Sequence, residues 1–146
     1  MLKFVIKRND KIARDDIFSL STNIEQFSNL MPRYFKSLKI IEKINSDFFV
    51  EEELWFFKKI FKVKTKHTIK TPNIHEIQII SGVLKNSIFI ENYEIANDST
   101  ELTIIVNLKF NGIFKFFYLF RPLIENKINK IMDEFISNCK IKSESI

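Results

Sequence analysis

Few residues in this chain can do chemistry, and their spacing narrows what that chemistry is. There are two histidines, His67 and His75, and one cysteine, Cys139. Glu52 and Thr65 share with the histidines the inward face of the strands derived below. An imidazole beside a carboxylate can take up and return a proton, so His67 tuned by Glu52 is a candidate acid–base pair for a carbonyl compound. The same groups in an apolar wall could instead orient a hydroxyl, carbonyl or carboxylate of a bound molecule. They could equally do no more than satisfy one another or water inside the interior. Glu52, His67 and His75 together would offer three metal ligands. The two histidines are not directly opposite, however, and no supporting partner is evident, so neither a metal nor another cofactor is expected. Cys139, near the chain end with no histidine close in sequence, reads as a free structural thiol.

Composition removes most other chemistries. With 2 Gly, the glycine-rich phosphate loops are excluded, and a single Cys rules out an internal disulfide and a Cys-rich zinc site. No GxSxG elbow occurs. At 146 residues, 45% hydrophobic and 28% charged, the chain fits one globular domain, 1–146. The net charge of +5 comes mainly from Lys, with Arg only at Arg8, Arg14, Arg33 and Arg121. Readers of nucleic-acid sequence lean on Arg for bidentate contacts, so no specific nucleic acid is expected. The charged N-terminus is no signal peptide, and the apolar run from Ile113 to Phe120 is too short to span a bilayer. A cytoplasmic location follows as an expectation. Phe occurs 16 times, which suits an interior built of aromatic rings.

The elements that must position these residues follow from periodicity. Leu2, Phe4 and Ile6 alternate with Lys3, Val5 and Lys7 in an opening strand. Three- and four-residue steps then give two short helices, roughly 13–20 and 23–30, ended by Pro32. A period of two runs on to about 110 and divides into strands at 36–44, 47–57, 61–70, 74–81, 87–96 and 101–111. From Gly112, Ile113, Phe117, Phe120, Ile124, Ile128, Ile131 and Phe135 form a helical stripe, kinked or begun at Pro122.

Turn positions give registers. A two-residue loop at Lys58-Lys59 pairs Leu54 with Val63, Glu52 with Thr65 and Val50 with His67, and sends Glu51 and Glu53 outward against Lys66 and Lys64. A three-residue loop at Thr71–Asn73 pairs Ile69 with His75, His67 with Ile77 and Thr65 with Ile79. A four-residue loop at Asn97–Thr100 pairs Tyr93 with Ile104 and points Glu91 and Tyr93 inward. A sheet with one apolar face needs a cover, and only the helix after Gly112 is long enough. Outward Lys62, Lys64, Lys66 and Lys70 form a stripe, partly neutralised by Glu51 and Glu53, from which weak contact with an anionic membrane surface is expected. Trp55 falls on the same outer face.

This order of strand, two short helices, six strands and a long C-terminal helix resembles the helix-grip superfamily, which includes START domains, birch-pollen-allergen-like proteins and the polyketide cyclase/dehydrase group. Asp16–Leu20 with Asn23–Phe27 is similar to its first helices, Phe35–Glu42 to its second strand, and Phe120–Ile124 to its last helix. The resemblance implies an α+β fold, with a curved seven-stranded antiparallel sheet wrapped around the C-terminal helix. It also implies binding of a hydrophobic small molecule or lipid, with enzymatic activity in some branches and no universal catalytic residue.

The main expectation is therefore a non-catalytic binding protein with a cavity between sheet and helix. Val50, Leu54, Val63, Ile77 and Ile79 of the sheet would line it, with Phe117, Phe120 and Ile124 of the helix. Glu52, Thr65, His67, His75 and Tyr93 would supply its polar side. A cyclase/dehydrase-like enzyme using His67 is the first alternative, and an interaction module without a ligand the second.

Overall fold

Alternating apolar and polar residues bury one face of a strand each, and here they build one sheet. The structure is a computed structural model and describes residues 1–145. β1 (Leu2–Asp10) leads to α1 (Arg14–Thr22), a 3-10 turn (Ile24–Gln26) and α2 (Phe27–Leu30). Six strands follow: β2 (Phe35–Ile44), β3 (Asp47–Phe56), β4 (Lys59–Lys70), β5 (Ile74–Ile79), β6 (Ile88–Ala96) and β7 (Ser99–Leu108). The strand order is β1-β7-β6-β5-β4-β3-β2, antiparallel throughout. Two register shifts in β2, at Phe35/Ser37 and Ile40/Glu42, are bulges that bend this outer strand. The seven-stranded sheet and the two short helices after β1 match the expected architecture.

Three details differ, each for a local reason. The β3–β4 turn is Phe57-Lys58, one residue earlier than expected, with φ of 50° and 61°. Two positive φ values make the hairpin turn whose twist matches the strands, normally the province of Asn and Gly. Here Phe57 is held by packing, edge-on to Phe56 at 4.5 Å and stacked on Phe117 at 5.9 Å. Glu52 consequently faces Val63, and Val50 faces Thr65. The β6–β7 turn is likewise only Asn97-Asp98, with Asn97 at φ 57°, so Tyr93 faces Leu102. Both registers moved by two residues, and because side chains alternate with period two the inward assignments of Glu52, Thr65, His67 and Tyr93 survived. The β4–β5 register is as expected, with His67 opposite Ile77 and Ile69 opposite His75.

The third difference is the cover. Gly112–Phe120 winds as a 3-10 segment, and the α-helix, α3 (Arg121–Glu144), begins only at Arg121. Pro122 sits in its first turn, where a missing N–H costs nothing. Gly112, at φ +63°, makes the sharp entry. Phe117 and Phe120 therefore do not belong to the long helix. α3 turns Ile128, Ile131, Met132 and Phe135 toward the sheet. It is tied to β1 by Arg8, which donates to Asp133 Oδ1 at 2.8 Å and Asn129 Oδ1 at 2.9 Å.

Candidate functional site

Four neighbouring strands each place polar groups on the inner face, and these join into one chain. Thr65 Oγ1 donates to Glu52 Oε2. His67 Nε2 lies 2.8 Å from the same oxygen and 3.0 Å from Thr65 Oγ1. His67 Nδ1 is 2.9 Å from His75 Nε2, and His75 Nδ1 is 3.2 Å from Glu91 Oε1. Tyr93 donates its hydroxyl to Glu91 Oε1 at 2.9 Å. Glu52, Thr65, His67, His75 and Tyr93 are all buried. Glu52 and His67 are not diagonal neighbours, as expected from the earlier register; His67 faces Phe48, and the Glu52 side chain reaches along the sheet to meet it. Glu91, pointed inward by the sequence register but not counted among the site residues, completes the chain. Its signal was its parity with Tyr93, two residues away.

Hydrogen-bond inventory restricts the protons here. Each of the three contacts from Glu52 to Glu91 needs one proton, and two neutral imidazoles bring only two. With both carboxylates ionised, two bonds at the ends would leave the His67–His75 nitrogens facing each other with lone pairs. A hydrogen bond across their 2.9 Å separation requires a third proton in the chain. Among the described residues no group of three or more His, Cys, Asp or Glu is arranged to hold a metal ion.

Burial acts on the neighbouring groups. It raises the Tyr93 phenol well above its ordinary 10.0, helped by the charge of Glu91. It pushes the Cys139 thiol up to about 12, again with Glu91 contributing. Cys139 has no exposed surface. It is therefore expected to resist thiol reagents near neutral pH until the protein unfolds, and labelling at the native rate of an exposed thiol would contradict this. The pH dependence has a definite sign. The open chain ionises this thiol from 9.0 while the fold defers it to about 12. The native state binds more protons across that window, so stability declines as pH rises through it, by at most about 1.4 kcal/mol per unit. Denaturant melts from about pH 9 to 10 should slope less in Cys139→Ala than in the wild type.

Beside the chain lies a cavity of about 200 Å³ between sheet and α3. Its walls are almost wholly apolar. Glu52, Leu54, Thr65, His67, His75, Ile77 and Ile79 line it as expected positions, joined by Glu91, Ser21 and residues of α2 and α3 such as Phe27, Ile131 and Phe135. Val50, Val63, Tyr93 and Ile124 are buried in packed core instead. Phe117 and Phe120 line a separate surface groove. Trp55, expected outside, contributes to the cavity wall and sits 5.9 Å from the Lys36 ammonium. Among the described residues no Lys or Arg reaches the cavity wall. Glu52 Oε1 and Glu91 Oε2 have no hydrogen-bond partner among the described residues, and both residues line the cavity.

No protein-family model matches the chain, and no curated protein sequence does. Solved structures do. The chain is similar to TTHA0849 from Thermus thermophilus, with a TM-score of 0.81 and 9% identity, covering 98% of this chain and 97% of that one. A START superfamily protein from Mycobacterium smegmatis superposes with a TM-score of 0.78 at 10% identity, covering 99% of both chains. The Zhui aromatase/cyclase from Streptomyces sp. R1128 gives 0.75 at 8% identity, covering 97% and 93%. At such identities the likeness speaks for fold rather than activity. The sheet, its two short helices and its long final helix are those of the helix-grip fold.

Proposed function

We propose that the protein binds a small apolar molecule between sheet and α3, with a hydroxyl or amine of that molecule donating to the polar chain. The observation that carries this reading is the juxtaposition of an apolar cavity with carboxylate oxygens that lack a protein donor. Ligand sites combine these two features, a greasy wall and a few convergent polar groups. The volume of about 200 Å³ lies below the roughly 300 Å³ where drug-sized sites begin. An apolar cavity of about 150 Å³ accepts benzene, so this one suits a compact ligand of one or two rings, or a short branched chain. The two inward glutamates and the lack of Lys or Arg among the described wall residues disfavour fatty acids and other anions.

A START superfamily protein and an aromatase/cyclase among the structural neighbours support binding of an organic molecule in this fold. The enzymatic reading, with His67 as base, finds less support. Both ring nitrogens of His67 are already engaged, Nε2 by Glu52 and Thr65 and Nδ1 by His75, so neither is turned to a substrate. An interaction module without a ligand would need no cavity at all.

The test is native mass spectrometry of the purified protein, then solvent extraction. A copurifying neutral or basic compound is expected, together with displacement by small phenols or alcohols but not by carboxylic acids of equal size. Preferential retention of acids would refute the assignment of the polar end.

A further inference from the structure

The lysine stripe of β4 is a poor membrane-binding surface in the folded protein. Lys62 stands opposite Glu53 and Lys64 opposite Glu51. Lys70 Nζ is 3.0 Å from Glu76, and Lys66 Nζ 3.8 Å from Asp47. Lys62 and Lys64 make no salt bridge among the described residues, but each has a carboxylate opposite; positive charge with no carboxylate opposite lies at the β3–β4 turn and the 3-10 segment before α3.

Those two pieces of chain meet through aromatic rings. Phe57 stacks on Phe117, Phe61 meets Phe114 edge-on at 5.8 Å, and Lys59 Nζ lies 5.6 Å from the Phe114 ring. From this packed base the segment turns large apolar side chains to the outside. Ile113 and Leu119 are each 82% exposed, and Phe116, Phe120, Leu123 and Ile60 are exposed too. Single exposed apolar residues are ordinary; six on two adjoining segments form a patch of the kind that marks an interaction site. A groove of about 240 Å³ runs beneath them, lined by Phe57, Lys59, Phe61, Phe116, Phe117, Phe120 and Leu123.

Within the two segments themselves the charge has one sign. No Asp or Glu occurs from Leu54 to His75, or from Leu102 to Ile124. Lys58, Lys59 and Lys115 are exposed there and make no salt bridge among the described residues. Exposed aromatic and branched side chains on segments that carry lysines and no carboxylate complement the headgroup boundary of an anionic bilayer, where rings sit at the interface and ammonium groups meet phosphate.

We propose that the Gly112–Leu123 segment and the Phe57–Ile60 turn form a docking surface that enters the interface of an anionic lipid membrane. Phe61 belongs to both the groove and the cavity wall, so the surface adjoins the route a ligand would take into the interior. The docking itself stands whether or not the cavity takes a ligand.

The experiment is sedimentation with vesicles of phosphatidylcholine alone, and of phosphatidylcholine with about a third phosphatidylserine. Three lysines near the surface predict roughly 100-fold tighter binding to the anionic vesicles at low salt, weakening as salt rises. The double variant Ile113→Ser/Leu119→Ser, at sites too exposed to affect folding, should lose at least tenfold on anionic vesicles. Lys62→Gln/Lys70→Gln, on the paired stripe, should lose little. Leu119→Trp should shift its fluorescence to the blue on anionic vesicles, reporting entry into the bilayer. Equal binding to both vesicle types, a stripe variant weaker than the patch variant, or no spectral shift would overturn the proposal. So would a wild-type dimer that Ile113→Ser/Leu119→Ser dissolves and that binds no vesicles, because the patch would then serve a second copy of the chain.

Discussion

Glu52→Leu is expected to destabilise the protein by about 3–5 kcal/mol, far beyond what removal of a surface carboxylate would do. The substitution strands Thr65 and His67, whose partner oxygen it removes in a region with no water-exposed alternative. A more discriminating result concerns the two ends of the chain. Glu52 and Glu91 do not touch, yet both terminate the run of bonds through His67 and His75. If that run shares one proton, Glu52→Gln and Glu91→Gln change the same proton balance. Their effects on stability should then be non-additive by about 0.5–3 kcal/mol in a double-mutant cycle. Additivity within about 0.5 kcal/mol would mean that the imidazoles do not transmit, and the inventory of three protons would have to be given up.

Filling the cavity should have the larger effect on binding and the smaller on folding. Ile77→Phe and Ile131→Phe each add a ring to a wall that borders open space. Overpacking a solid core costs about 1–3 kcal/mol; here the added atoms enter space that is already empty, so the melting temperature should stay near the wild-type value. Affinity for the extracted ligand should drop at least tenfold in either variant. Val5→Phe, on the exposed face of β1, should bind normally. Unchanged ligand content in a folded Ile131→Phe protein would place the ligand elsewhere.

The inward faces of β3, β4 and β5 were legible because period two survives any even shift of register. That is why Glu52, Thr65, His67 and His75 could be brought to one wall although two of three hairpin registers moved by two residues. The turn at Phe57-Lys58 was not legible. Nothing local favours positive φ there, and the ring of Phe117, sixty positions away in the chain, holds it. The break at Gly112–Phe120 was hidden for a related reason. A 3-10 run of apolar residues has nearly the period of an α-helix, and only Pro122 marked where the regular helix starts. Glu91 was obscured by the two-sided apolar character of β6, which blurs inside and outside.

The bulges of β2 have a further consequence. β2 and β1 are the outermost strands, and an outer strand offers unpaired N–H and C=O groups to any extended chain that drifts alongside. The two shifts in β2 break the even spacing of those groups, and Lys36, Lys39 and Lys43 stand exposed along the same strand. At the other edge, Arg121 already donates to the Lys3 carbonyl at 2.8 Å. One border of the sheet is irregular, and the other has one of its carbonyls already taken. A protein with 16 phenylalanines and a patch of them near solvent thereby has partial protection against fibre-like growth from its edges.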